Sequence, residues 1–106
     1  MESEIAERIG DRLIKGFIDV LILGELTRGR PLGAYDVINL VQNKFGILLS
    51  PGTVYFVLYS MERKGLIVDG LRERRKVYLL TDKGKETIKA ISKAKQKIIS
   101  LISNLL

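Results

Sequence analysis

The segment from Ser50 to Ile67 constrains the fold most, because it contains a short helix together with both of its end signals. Ser50 is a favoured N-cap residue, and Pro51 suits the first helical position, where no backbone N–H is needed. Gly65 is a typical helix stop. At a rotation of about 100° per residue, Leu58 and Met61 fall within about 40° of Val54. The pattern predicts a helix with one buried face.

The opposite face of this helix carries small, aromatic and basic residues, namely Gly52, Phe56, Tyr59, Ser60 and Arg63. A polar helix face usually lies in solvent. Two large aromatic rings, Phe56 and Tyr59, one turn apart and away from the core, instead indicate a partner such as a groove or another subunit.

A basic hairpin is predicted directly after this helix. Residues 66–69 and 75–80 have strand character, and residues 70–74 would connect them. The basic side chains at the tip are Arg72, Arg74, Arg75 and Lys76. Charge can protect a sheet edge from aggregation. Because the hairpin directly follows a helix whose exposed face is typical of a DNA recognition helix, contact with phosphates is the favoured interpretation.

The residues before Ser50 predict two further helices. Apolar residues recur at helical spacing from Ile5 to Leu26, with Gly10 and Gly16 as points where this helix could bend or break. Residues 27–31 predict a turn, and a second helix is predicted from about Gly33 to Lys44. The apolar residues 47–49 are expected to form a buried turn, as in a helix-turn-helix.

The last helix is predicted to run unbroken from the Thr81-Asp82 cap through residues 82–106. Its apolar stripe resembles a short coiled coil and is wider than one small domain would cover, which predicts self-association. Together with the first helix, the predicted dimerisation residues are Ile5, Ile9, Leu13, Ile91, Lys95, Ile98, Ile102 and Leu105. A separate run of lysines, Lys85, Lys89, Lys93 and Lys97, has two open interpretations, solubility or DNA contact.

The composition excludes several classes of function. A chain of 106 residues is expected to form a single domain. Residues 1–81 would form the N-terminal helix and the winged core, which includes the wing at residues 66–81. Residues 82–106 would form the dimerisation helix. It contains neither histidine nor cysteine, so we expect no enzymatic activity, no metal and no cofactor. The acidic start lacks the basic region of a signal peptide, and no apolar run is long enough for a bilayer, so we expect a cytoplasmic protein without membrane contact.

The charge is concentrated in the second half. Residues 1–61 carry six basic and seven acidic residues, whereas residues 62–106 carry twelve basic and five acidic residues. The basic half contains the hairpin and the last helix. A polyanionic partner is expected, with double-stranded DNA favoured over an acidic membrane surface.

The predicted order of elements is that of a winged helix-turn-helix, mainly α with a small β-hairpin. Four motifs occur in order along the chain: Gly33-Ala34-Tyr35, the Ser-x-Gly-Thr-x-Tyr pattern from Ser50 to Tyr55, Gly65-Leu66-Ile67, and Tyr78-x-Leu80-Thr81-x-x-Gly84. Through these motifs, about residues 20–90 resemble the PadR family of transcriptional regulators. Two positions differ from the family pattern: Leu32 replaces a common histidine, and Phe56 replaces a common proline.

The resemblance implies a homodimeric repressor that binds a near-palindromic operator. It places Ser50, Gly52, Thr53, Phe56, Tyr59, Ser60 and Arg63 in the major groove. Tyr35 and Tyr55 would contact phosphates, although Tyr55 would also suit a half-buried position. Arg72, Arg74, Arg75 and Lys76 would contact the flanking backbone or minor groove. A small-molecule effector would bind near Ile9, Leu13, Phe17 and the last helix, residues that would serve equally well as dimer core.

Two other classes of function remain open at this point. A basic winged helix can coat DNA as an architectural protein without reading its sequence. A winged helix can also dock a protein partner, here through Phe56 and Tyr59.

Overall fold

The computed structural model describes all residues from 1 to 106 and contains six helices and one antiparallel hairpin. The helices are α1 (Glu2–Gly16), α2 (Ile18–Leu26), α3 (Ala34–Phe45), α4 (Pro51–Arg63), α5 (Asp82–Lys93) and α6 (Lys95–Leu105), and the strands are β1 (Ile67–Arg72) and β2 (Arg75–Leu80). The predicted fold class, a mainly helical winged helix-turn-helix, is confirmed.

The core lies where α2, α3 and α4 meet the base of the hairpin. Ile22, Val37, Val41, Val54 and Leu58 are completely buried there. The helix-turn-helix connection differs from the prediction in one respect: Leu49 is buried, but Leu48 is 72% exposed. The connection has no regular secondary structure, and of its two successive leucines only Leu49 packs into the core.

The two terminal helical regions are both divided. The first breaks at Phe17, next to Gly16, while Gly10 lies inside α1. The prediction of one unbroken helix over residues 82–106 is wrong, because Ala94 leaves helical geometry with φ −88° and ψ 3°. The two segments have different surroundings: α5 packs against α2 and β2, whereas α6 has no comparable contact with the body of the protein.

The hairpin is longer than predicted. Strand β1 continues through Gly70 to Arg72, which pairs with Arg75, and only Glu73 and Arg74 form the turn. Both turn residues have positive φ, 54° and 65°. This is the geometry of a two-residue turn that matches the twist of the strands. The basic tip is therefore a tight turn at the end of a regular ladder.

Two contacts attach the hairpin to the helices. Leu32 and Tyr78 exchange backbone hydrogen bonds of 3.2 and 2.8 Å, which adds a short third segment to the sheet. At the other end, the Thr81 hydroxyl donates to the Gly65 carbonyl at 2.6 Å and accepts from the Gly84 N–H at 3.0 Å. The Thr81 cap predicted for α5 is thus confirmed. None of the helices combines the length and the apolar character needed to cross a membrane.

Candidate nucleic-acid interface

Helix α4 begins as its sequence predicts. The Ser50 hydroxyl accepts a hydrogen bond from the Thr53 backbone N–H at 3.1 Å and lies 2.8 Å from the Thr53 hydroxyl. Pro51 occupies the first turn. Because the cap is exposed, the first turn of α4 presents two hydroxyl groups and the positive end of the helix dipole to solvent.

The faces of α4 are divided as predicted. Val54, Leu58 and Met61 are buried, whereas Phe56 is 69% exposed and Tyr59 is 44% exposed. Gly52, Thr53 and Arg63 are also exposed, and Ser60 is half-buried. The outer surface of α4 therefore combines two apolar rings with small polar groups.

Tyr55 occupies the less exposed of its two predicted positions. Its side chain is half-buried and packs against the hydrophobic core. Its ring centre lies 6.0 Å from that of Tyr59. Tyr55 thus supports the exposed Tyr59 ring from the core side. Tyr35, the other tyrosine assigned to phosphates, lies in the first turn of α3 with its side chain largely exposed.

Lys76 joins the wing to α4. Its ammonium nitrogen lies 5.5 Å from the ring centres of both Tyr59 and Tyr78, and 3.8 Å from an Asp69 carboxylate oxygen. Cations at this distance from an aromatic ring are attracted by its electron-rich face. The exposed face of α4 and the wing therefore form one continuous surface.

The structure separates the four predicted wing cations into two pairs. Arg75 donates to the Asp36 carboxylate of α3 at 3.1 Å, and that carboxylate also accepts the Gly33 N–H at 2.7 Å. Lys76 has Asp69 as its partner. Arg72 and Arg74 make no ion pair and lie at the exposed tip. Of the four wing cations, only Arg72 and Arg74 are not engaged in an ion pair within the protein.

Burial affects the titration of the aromatic cluster. The Tyr78 hydroxyl is buried and makes no hydrogen bond. Burial raises the pKa of Tyr78, although the nearby Lys76 ammonium opposes the shift. The electrostatic attraction of the neighbouring Tyr78 side chain, followed by that of the Asp69 and Glu62 carboxylates, raises the pKa of Lys76 above its usual value. Lys76 therefore remains charged throughout the neutral range.

The predicted dimerisation residues lie on exposed or half-buried surfaces. Helix α1 has no buried residue, and Ile5, Ile9 and Leu13 are exposed along one side of it. An apolar groove of about 570 Å³ runs between α1–α2 and α5–α6. Its lining includes Leu13, Ile91, Lys95, Ile98 and Ile102 from the predicted set, and also Phe17. Ile5, Ile9 and Leu105 do not line this groove, and Leu105 is exposed near the end of α6.

The contacts that sequence reasoning missed are long-range ones. Nothing in the local sequence pairs Arg75 with Asp36 or brings Lys76 to Tyr59. One local signal was available, because an acidic residue three positions after a helix N-cap commonly accepts the cap N–H, as Asp36 does from Gly33.

Comparisons with known proteins identify a family and a shared fold. Residues 22–90 match the model of the transcriptional regulator PadR-like family. A PadR family transcription regulator from Clostridium difficile R20291 is 30% identical, with a TM-score of 0.68 over 84% of this chain and 96% of that one. No curated protein matches the sequence.

Two further solved structures share the fold at lower identity. The PadR-like regulator BC4206 from Bacillus cereus is 23% identical, with a TM-score of 0.75 over 89% of this chain and 95% of that one. MepR, a transcription regulator of the Staphylococcus aureus multidrug efflux pump MepA, is also 23% identical, with a TM-score of 0.64 over 100% of this chain and 79% of that one.

Proposed function

The chain belongs to the transcriptional regulator PadR-like family, and from this premise we propose that it is a homodimeric repressor that binds a near-palindromic DNA site. The observation that carries the proposal is the contact of Lys76 with Tyr59, which joins the wing and the outer face of α4 into one surface. A surface made of a helix and an adjacent basic hairpin suits the major groove and the backbone beside it.

Helix α4 would read the DNA sequence. Its exposed first turn brings Ser50, Gly52 and Thr53 close to base edges and phosphates. Phe56 would pack on a thymine methyl group, with Tyr59, Ser60 and Arg63 further along the groove. Tyr35 and Tyr55 would contact phosphates that set the register, Tyr55 through its less buried edge.

The wing would bind the flanking backbone mainly through Arg72 and Arg74, because neither has a carboxylate partner. Arg75 and Lys76 would mainly orient the wing and contribute less of the binding energy, since Arg75 pairs with Asp36 of α3 and Lys76 lies over the Tyr59 ring of α4.

The homodimer would form through α1 and α6. Helix α1 buries no residue within one chain, and an amphipathic helix of this length gains most of its stability from a packed apolar face. A second copy would fill the apolar groove and cover Ile5, Ile9 and Leu105. Two-fold symmetry would then place two α4 helices about one DNA turn apart. Because a transcriptional regulator acts on chromosomal DNA, the proposal also places the protein in the cytoplasm.

The experiment that tests this function is selection of bound sequences from a random DNA pool at near-physiological salt. We expect an enriched palindrome, bound about 10³-fold or more tightly than random DNA. Binding without enrichment would support an architectural DNA-binding protein instead. Absence of binding would direct attention to a protein partner at Phe56 and Tyr59.

Two variants test the separate roles of α4 and the wing in binding the selected DNA sequence. Phe56→Ala should change sequence preference, whereas Arg72→Ala with Arg74→Ala should weaken binding to all sequences and lower the salt slope by about 1 per lost phosphate contact. Arg8→Ala with Arg12→Ala removes the same charge from exposed positions on α1, outside the candidate DNA surface, and serves as the control. Equal losses in the two double variants would contradict the assignment of the wing.

A further inference from the structure

A second cleft lies outside the candidate DNA surface and borders the apolar groove, with which it shares Gly24, Ile88 and Ser92. It is formed by the turn after α2, the end of β2 and one side of α5, and its volume is about 950 Å³. Its apolar lining consists of Leu26, Leu79, Leu80 and Ile88. Leu79 is substantially exposed, so the cleft offers an apolar surface that the chain itself leaves open.

The charged residues around this cleft are all basic. Arg30, Lys85, Lys89 and Lys93 line it, and no Asp or Glu does. None of the four makes an ion pair, because the three ion pairs of the protein lie at Arg28, Arg75 and Lys76. Like charges four residues apart on a helix destabilise it. An anion bound among them would relieve this repulsion.

We propose that this cleft binds a small amphipathic anion, with a carboxylate, sulfonate or phosphate head and a flat or short apolar body. The head would lie among Arg30, Lys85 and Lys89, and the body would lie on Leu79 and Ile88. The volume falls within the range of small-molecule sites. The apolar groove is chemically different, because ten of its sixteen lining residues are hydrophobic and its charges are mixed, with Glu25 beside Arg28, Lys44 and Lys95. This inference does not depend on the proposed DNA site.

The test uses the full chain and 1-anilinonaphthalene-8-sulfonate, an amphipathic anion that fluoresces in apolar surroundings. Lys85→Gln with Lys89→Gln should weaken its binding by about tenfold, since charge-assisted contacts to the head are lost. Arg12→Gln with Lys97→Gln removes the same charge outside the cleft and should change binding by less than about twofold. Ile88 is left unchanged because it lines both the cleft and the groove.

Two measurements locate the bound probe. N-phenyl-1-naphthylamine has the same rings without the sulfonate, so its binding should be equal in all three proteins. Backbone amide NMR shifts caused by the sulfonate probe should appear at Thr27 and Gly29, which line only the cleft. Shifts confined to Phe17 and Ile102, which line only the groove, would overturn the proposal.

Three further results would also decide against the site. Equal weakening in the two double variants would show a general charge effect, and unchanged binding in both would show that the lysines are not involved. If the Lys85→Gln/Lys89→Gln variant loses affinity for duplex DNA as strongly as for the probe, the lysines belong to a DNA surface. Arg30→Gln, in the exposed turn, repeats the test if the double variant fails to fold.

Discussion

Lys76 is the residue at which the two parts of the candidate interface meet. Its ammonium lies 5.5 Å from both the Tyr59 and Tyr78 rings and 3.8 Å from Asp69. The basic sequence of the hairpin predicted a phosphate contact for Lys76. The structure shows that this charge also supports the ring of Tyr59, so Lys76 connects the position of the wing to a side chain on the outer face of α4.

From the burial of Tyr78 we predict how the free energy of unfolding changes at alkaline pH. Burial raises the pKa of Tyr78 in the folded protein above the unfolded value of about 10. The unfolded chain therefore loses this proton first, and the free energy of unfolding should fall as pH rises above about 10. The raised pKa of Lys76 acts in the same direction. Urea denaturation at a series of pH values from 8 upward measures the slope.

Tyr78→Phe is the matched variant for this prediction. It keeps the buried ring and removes a hydroxyl that has no hydrogen-bond partner. At pH 7 its stability should equal that of the parent or exceed it by up to about 1 kcal/mol. The alkaline slope should also become smaller. An unchanged slope would show that Tyr78 does not contribute to it.

The backbone conformation of the turn at Glu73 and Arg74 leads us to predict a stabilising substitution. Both residues have positive φ, a region that Asn tolerates better than most other side chains. Glu73→Asn should therefore raise the free energy of unfolding by about 0.5–1 kcal/mol. Glu73→Gln removes the same charge without the conformational preference. Thermal denaturation should show Glu73→Asn to be the more stable variant, and equal stabilities would contradict the conformational explanation.

At the scale of elements, α5 is positioned by a close contact between its first turn and the base of the wing. A Cβ atom at Gly84 would lie 2.1 Å from the Leu66 carbonyl oxygen and 2.9 Å from a Leu80 methyl group. The absence of a side chain at Gly84 therefore allows α5 to approach the hairpin. This close approach is the physical reason for a glycine three residues after Thr81.

Gly84→Ala should consequently separate α5 from the wing and lower the free energy of unfolding by about 1–3 kcal/mol. Gly24→Ala is the control, because Gly24 is inside α2 and a Cβ there meets no atom within 4 Å. That control should be neutral or stabilising by up to about 1 kcal/mol. Urea denaturation of both variants measures the difference, and a neutral Gly84→Ala would rule out the contact as a constraint.

At the scale of the whole molecule, exposed apolar surface on α1 and α6 predicts assembly. Ile98→Asp with Ile102→Asp places two carboxylates in the apolar groove and should give monomers with poor DNA affinity. Ser100→Asp with Ser103→Asp adds the same charge to α6 outside the groove lining and should leave the dimer intact. Sedimentation measures the mass of each variant. A dimeric Ile98→Asp/Ile102→Asp variant would contradict the proposed interface.

Sequence alone determined the features that depend on neighbouring residues. The Ser50 and Thr81 caps, the buried face of α4 and the order of helices and strands follow from contacts within about one helical turn or from the spacing of apolar residues. The excess of basic residues in the second half of the chain is likewise a property of the sequence alone.

Only the tertiary structure decided which charges have partners and which apolar surfaces stay open. Asp36 and Arg75 are 39 residues apart and meet because the backbone bridge between Leu32 and Tyr78 brings the start of α3 next to β2. The apolar groove and the basic cleft beside α5 likewise exist only because elements distant in sequence pack together, and the break at Ala94 has no signal in the local sequence. These features could not be predicted from local sequence, because packing between distant elements determines which groups come within a few ångströms.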